Sequence, residues 1–285
     1  MSRSLSGNIL FHFTGHLDNL IGILSNGFYP RLCFEEDVDF KPADKLPDKI
    51  TPMVSFCDMR LSDALKGRHT LDYGRYAVGI SKSWARDQGI SPVLYVPSSK
   101  SFNLQGIALI FGNLLEMSKM KTKDSALHLM RINNGIGSLS FFLKRYEGNL
   151  YKNWERGKET ITFYDEREWR YVPMVVNTGK LVFLCELMKD MQLISKDIFC
   201  ADETVKFVAD ELNLSMTNRE FINRQNRELE VQALMPPGDQ IRYIIVAKHS
   251  EIPLIKAEMK KIESIKDHLD TIDVFSIEDH RANIL

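Results

Sequence analysis

Short runs of apolar and β-branched residues, each about the length of a strand and closed by turn residues, recur along this chain, with stretches of helical spacing between them. That pattern demands a sheet with helices packed against it, a mixed α/β core. Residues 8–14 read as the first strand. Residues 17–25 read as a helix with Leu17, Leu20, Ile21 and Leu24 on its apolar side, stopped by Gly27. Residues 31–52 are polar and charged and carry Pro42, Pro47 and Pro52, so they read as a surface loop or lid. Extended structure resumes over 53–57. A turn at Tyr73 and Gly74 feeds a strand reaching Ile80, and residues 81–88 suit a helix capped by Ser81.

Residues 92–96 return as a strand, after which the spacing becomes helical from Phe102 to Tyr146, with Leu104, Ile107, Phe111, Leu127, Met130, Phe142 and Leu143 at helical intervals. That stretch reads as a helical insertion packed beside the sheet. Strand character resumes at 160–163, 168–173 and 181–184, and again at 241–247; a helix over 252–265 and a last strand over 272–277 follow. No repeat, low-complexity tract or clean linker divides the chain. The expectation is one elaborated α+β domain over residues 1–285, with residues 102–146 inserted in it.

Hydrophobic residues at 44% are enough for a sizeable core, and 37 lysines and arginines nearly cancel 38 aspartates and glutamates. No global field therefore favours nucleic acid, an anionic membrane or an acidic substrate, and a polyanion would need a local patch. The apolar stretch near the start is too short for a signal peptide, and no run reaches the length of a spanning helix, which places the protein in the cytoplasm. Cys33, Cys57, Cys185 and Cys200 include no C-x-x-C pair, which argues against structural zinc and for buried free thiols. Cys57, closing an apolar strand, reads as a small hydrophobe rather than a nucleophile.

Three polar clusters fall on strands where packing alone explains them poorly. His12 and Thr14 alternate onto one face and can hydrogen-bond a sugar hydroxyl or an amide; a strand-end histidine tied to backbone is the competing explanation. Tyr73, Gly74, Arg75 and Tyr76 put aromatic faces beside a glycine that lets backbone approach a ligand, although tyrosines are common in half-buried strands. Glu166, Glu168 and Arg170 alternate along a third strand. A carboxylate beside a fixed arginine can orient ribose hydroxyls and stabilise positive charge at an anomeric carbon, while a solvated face of cross-strand ion pairs would use the same residues.

The order of these clusters resembles the His-Tyr-Glu branch of the ADP-ribosyltransferase fold: His12-Phe13-Thr14, then Tyr73-Gly74-Arg75-Tyr76-Ala77 leading to Ser81-Lys82-Ser83, then a strand-borne glutamate. Over the whole chain the closer resemblance is to the AbiGi family of abortive-infection proteins. It is carried by Phe11-His12-Phe13-Thr14, Gly27-Phe28-Tyr29-Pro30, Met53-Val54-Ser55-Phe56-Cys57-Asp58, Pro92-Val93-Leu94-Tyr95 and Arg167-Glu168-Trp169-Arg170-Tyr171. The AbiGi resemblance implies phage defence, with this chain as the antitoxin-like member of a two-gene system and a cognate toxin or other defence protein as partner. The transferase resemblance implies a split β-sheet core, NAD as co-substrate and ADP-ribose passed to an acceptor or to water. In that scheme His12, Tyr76 and Glu168 are catalytic: His12 holds a ribose, Tyr76 stacks near the nicotinamide, and Glu168 orients the ribose hydroxyls. His12, Thr14, Tyr73, Tyr76, Glu166 and Arg170 form the cofactor-binding set. The transferase scheme also requires the strands carrying His12 and Glu168 to share a sheet and line one cleft, and side chains on opposite faces or in separate domains would contradict it. The alternative is a non-catalytic antitoxin or binding module that contacts a partner protein.

Overall fold

The computed structural model describes residues 7–36, 48–66, 69–97, 141–152, 155–173, 223, 226–227 and 229–282. The first strand, β1 (Ile9–Thr14), runs into α1 (Leu17–Asn26), which buries Leu20 and Leu24 one turn apart. Gly27, at φ 83°, closes the helix by donating its N–H to the Ile23 carbonyl. Next come β2 (Arg31–Glu36) and β3 (Asp48–Cys57), paired antiparallel from Arg31 opposite Met53 to Glu36 opposite Asp48. The loop or lid expected over 31–52 is thus a hairpin at both its ends, and residues 37–47 lie outside the described residues. Pro52 sits within β3 opposite Leu32, whose N–H donates to Asn226 Oδ1 and not across the ladder, so the missing proline N–H breaks no ladder bond at this pair.

Helices α2 (Leu61–Lys66) and α3 (His69–Asp72) precede β4 (Tyr76–Ser81), and α4 (Lys82–Asp87) follows at once, Ser81 Oγ accepting the Trp84 N–H at 3.4 Å as its cap. Two short strands, β5 (Ser91–Pro92) and β6 (Leu94–Val96), come next. Then β7 (Leu143–Arg145) pairs parallel with β6, and β8 (Glu147–Lys152) forms a hairpin with β9 (Glu155–Thr162). Most of the expected helical insertion lies outside the described residues, but its end is corrected. Leu143 belongs to a strand, because residues 143–145 complete a ladder with residues 94–96. The remaining elements are β10 (Glu168–Tyr171), β11 (Ile241–Val246), α5 (Ile252–Met259), β12 (Asp273–Ser276) and α6 (Ile277–Ala282).

One sheet takes eight of the described strands, in the order β12-β11-β4-β1-β3-β10-β5, with β2 on β3; all pairs are antiparallel except β11 with β12. Both faces are covered. On one, Leu10, Phe56, Val78, Ile80 and Ile244 pack under Leu20 and Leu24 of α1 and Ile255 and Met259 of α5. On the other, Phe11, Cys57, Ala77 and Ile245 meet Ala64 and Leu65 of α2 and Ile277 of α6. This is α+β packing with helices on both sides, and among the described residues no helix is long and apolar enough to cross a membrane.

The sheet's centre is unevenly paired. Strand β1 faces β4 over six residue pairs, from Ile9–Ser81 to Thr14–Tyr76, yet it faces β3 at Phe11–Cys57 alone. Beyond that pair the Ser55 carbonyl accepts from the His12 ring nitrogen Nδ1 at 2.8 Å instead of from a strand amide. The two strands part there, and a cavity opens beside the gap.

Gly74 fixes the other side of that gap. It holds φ 119°, and a Cβ on it would stand 2.1 Å from the Thr14 carbonyl oxygen. The glycine therefore serves a close approach of backbone to the end of β1, not to a ligand. Gly74→Ala is expected to lower stability by about 2–4 kcal/mol through strain and clash together. Chemical denaturation measures this, and a change under half a kilocalorie would contradict the packing described.

Candidate functional site

A cavity of about 660 Å³ lies between β1, α1, β2 and β3, closed at its inner end by residues of β7 and β10. That volume is in the range that holds a drug-sized or nucleotide-sized ligand. His12 and Glu168 both line it, as do Thr14, Tyr73 and Glu166. The two principal residues reach it from opposite faces of the sheet, the arrangement that counts against the transferase scheme. His12 packs edge-on to Phe28 and against Phe56, on the α1 side, whereas Glu168 stands opposite Cys57, on the α2 side. They share a cavity because the strands between them separate.

His12 is tied to the Ser55 carbonyl through Nδ1, so in the neutral ring that nitrogen carries the proton and Nε2 is left as an acceptor. Burial holds its pKa below the usual histidine value, with the Ser55 contact opposing. The unfolded chain binds a proton at about pH 6.5 and the folded chain resists it, so stability is lost as pH falls from there toward the folded value. Thermal unfolding between pH 8 and 5 should fall more steeply for wild type than for His12→Gln. Parallel curves would show that His12 is not held neutral.

The inner end is a closed ionic cluster. Glu168, 4% exposed, accepts from Arg170 Nε at 2.7 Å, from Lys144 Nζ at 2.6 Å and from Ser55 Oγ at 2.8 Å. Its backbone N–H donates to the Tyr95 hydroxyl at 2.7 Å, fixing the start of β10. Arg170, fully buried, also grips Glu35 through both terminal nitrogens and donates to the Phe141 carbonyl at 2.6 Å. Lys144 reaches Glu166 at 2.7 Å, and Tyr73 donates a short hydrogen bond to the same carboxylate. Burial pushes the Glu168 carboxyl upward, but Arg170 and Lys144 outweigh it and hold it well below the usual carboxylate range. Burial wins at Glu166, whose pKa is raised against the pull of Lys144. One carboxylate is thus locked in its ionised form, while its neighbour holds a proton more readily than a free glutamate.

Several residues sit elsewhere than their pattern implied. Tyr76 does not line the cavity: its hydroxyl donates to Glu251 at the start of α5, 2.9 Å away, and its ring packs on the α1-side core. It shares a register pair with Thr14, but the ring leans outward, which strand parity does not determine. Arg170 stands behind Glu168 rather than in the cavity. Glu166 is not on the strand; it ends a turn of 3-10 helix, Phe163–Glu166, and Arg167 at φ 46° then turns the chain into β10. That reversal is what lets Glu166 and Glu168 share Lys144. Burial lifts the Cys57 thiol well above its ordinary value and the Cys33 thiol to about 12, so both are poor thiolates although both line the cavity.

Glu35, Ser55 and Lys144 were not anticipated as site residues. A lysine directly after Phe141-Phe142-Leu143 is the signal that could have found one of them, since a cation amid apolar residues needs a buried carboxylate. Taken together, the inner end presents a fixed anion that can stabilise positive charge on a ligand, a protonatable carboxyl beside it and a neutral histidine acceptor across the gap.

Comparison with known proteins adds a family. The family model described as "Putative abortive phage resistance protein AbiGi, antitoxin" matches residues 26–247, a span that includes Tyr73, Glu166 and Glu168 and leaves out His12 and Thr14. A curated protein of Lactococcus lactis subsp. cremoris, "Abortive phage resistance protein AbiGi", is 26% identical over 207 residues, covering 68% of this chain and 81% of that protein. No solved structure matches.

Proposed function

The chain belongs to the AbiGi family, and from that premise we propose that it acts in phage defence through a cavity that binds a ribose-bearing nucleotide, NAD in the ADP-ribosyltransferase-like reading. The observation that carries the proposal is the meeting of His12 and Glu168 in one cavity across a split in the sheet. In this reading the His12 acceptor takes a ribose hydroxyl, Tyr73 borders the ring-binding end, and ionised Glu168 stabilises charge developing at the anomeric carbon. Thr14 supplies a further hydroxyl at the rim. The acceptor of ADP-ribose is a protein, a nucleic acid or water.

A second reading has its own support. With Tyr76 turned to Glu251 and Glu168 neutralised by two cations, the same fold suits a non-catalytic antitoxin that holds a toxin partner, which agrees with the family's description. Phage plating separates the two. In cells carrying the complete two-gene locus, His12→Gln and Glu168→Gln should abolish protection while both variant proteins accumulate to wild-type levels. Full protection by both variants would leave the cavity without a part in defence.

A further inference from the structure

Strand β2 sends alternate residues into the cavity: Arg31, Cys33 and Glu35. Four residues of strand, about 13 Å, separate the first from the last. The two ends differ in charge. At the inner end Glu35, Glu166 and Glu168 outnumber Lys144 and Arg170, so a phosphate is repelled there. At the outer end stands Arg31, whose side chain is 43% exposed, and among the described lining residues it and Lys144 are the only lysine or arginine. Lys144 is committed to two carboxylates.

Arg31 is held ready by its surroundings. Its guanidinium lies 5.4 Å from the centre of the Tyr29 ring, and Tyr29 also lines the cavity. Its described hydrogen bonds, to the Asn226 carbonyl and to Glu230 Oε1, both 3.0 Å, use Nη1 alone. The fork of Nε and Nη2, the geometry that suits a phosphate, is not engaged by either. Glu230, itself 39% exposed, is the carboxylate that an incoming anion would displace.

We propose that Arg31 is the phosphate-binding residue of this cavity, selecting a diphosphate-bearing nucleotide over the corresponding nucleoside and orienting it with its ribose toward Glu168, and that Glu230 competes with the ligand for it. This deepens the nucleotide reading above and rests on it for the identity of the ligand. The polarity follows from charge: only one end of the cavity accepts an anion. Binding then frees Glu230 and loosens the link between β2 and the segment around residues 226–234.

Calorimetric titration of the full chain with NAD, with nicotinamide riboside and with inorganic pyrophosphate tests the proposal. Arg31→Gln should weaken NAD roughly tenfold or more while nicotinamide riboside, which lacks the diphosphate, changes little, and Arg31→Lys should fall between. Glu230→Gln should tighten NAD. Pyrophosphate should bind wild type and not Arg31→Gln. Equal weakening of NAD and nicotinamide riboside by Arg31→Gln, or weakening of neither, overturns the proposal. If wild type binds neither NAD nor nicotinamide riboside, the NAD reading fails, and pyrophosphate alone decides the assignment: binding lost in Arg31→Gln upholds the anion site, and no binding to wild type removes it.

Discussion

Arg170→Met should lower the free energy of unfolding by about 3–5 kcal/mol, and Glu168→Gln by less, about 1–3 kcal/mol. The order follows from counting the buried cluster. Among the described residues it holds the carboxylates of Glu35, Glu166 and Glu168 against the cations of Lys144 and Arg170. Removing Arg170 leaves three carboxylates around one lysine, with Glu35 losing its bidentate partner in a buried setting. Removing the Glu168 charge leaves two against two. Lys144 stays on Glu166 and Arg170 on Glu35, so the cluster remains balanced. Urea denaturation of the three proteins at neutral pH measures the order, and a larger loss for Glu168→Gln than for Arg170→Met would contradict the arrangement.

That modest cost makes Glu168→Gln usable for the second expected result, a fall of about 10²–10³-fold in any NAD turnover with little change in NAD affinity. Glutamine keeps the shape and can still accept from Ser55 or Arg170, but it brings no negative charge to an oxocarbenium-like transition state. Glu166→Gln should do less. Its carboxyl already holds a proton more readily than a free glutamate, so the substitution removes less charge. Initial rates at saturating NAD, with folding checked by thermal unfolding, separate lost chemistry from lost structure. Equal rates in wild type and Glu168→Gln would remove Glu168 from the mechanism.

Much of this site was legible in residue order, and the failures have physical causes. His12 and Glu168 stood out because polar residues on apolar strands need partners, and the gap in the sheet brings both to one cavity. Strand register places them on opposite faces of the sheet, and residue order alone gives no sign that the parting of β1 and β3 lets both line one cavity. Tyr76 was misplaced because alternation gives the side of a strand and not the lean of a ring. Glu166 was read as strand because an αL residue at Arg167, where glycine is usual, carries no sequence signature. Glu35 was hidden by the prolines of its neighbourhood, and Lys144 by apolar spacing that suits a helix as well as a buried strand. Partners so far apart in the chain as Glu35 and Arg170 are joined only by the sheet.

The cavity between His12 and Glu168 is proposed to take NAD. The most direct measurement incubates the purified chain with NAD labelled on its adenine, alone and with lysate from phage-infected cells, and follows both bound and converted label. Saturable binding that His12→Gln weakens is expected, with label released as ADP-ribose or transferred to a lysate component by wild type and not by Glu168→Gln. No binding and no conversion under either condition, with phage protection intact, would contradict the proposal and favour the antitoxin reading.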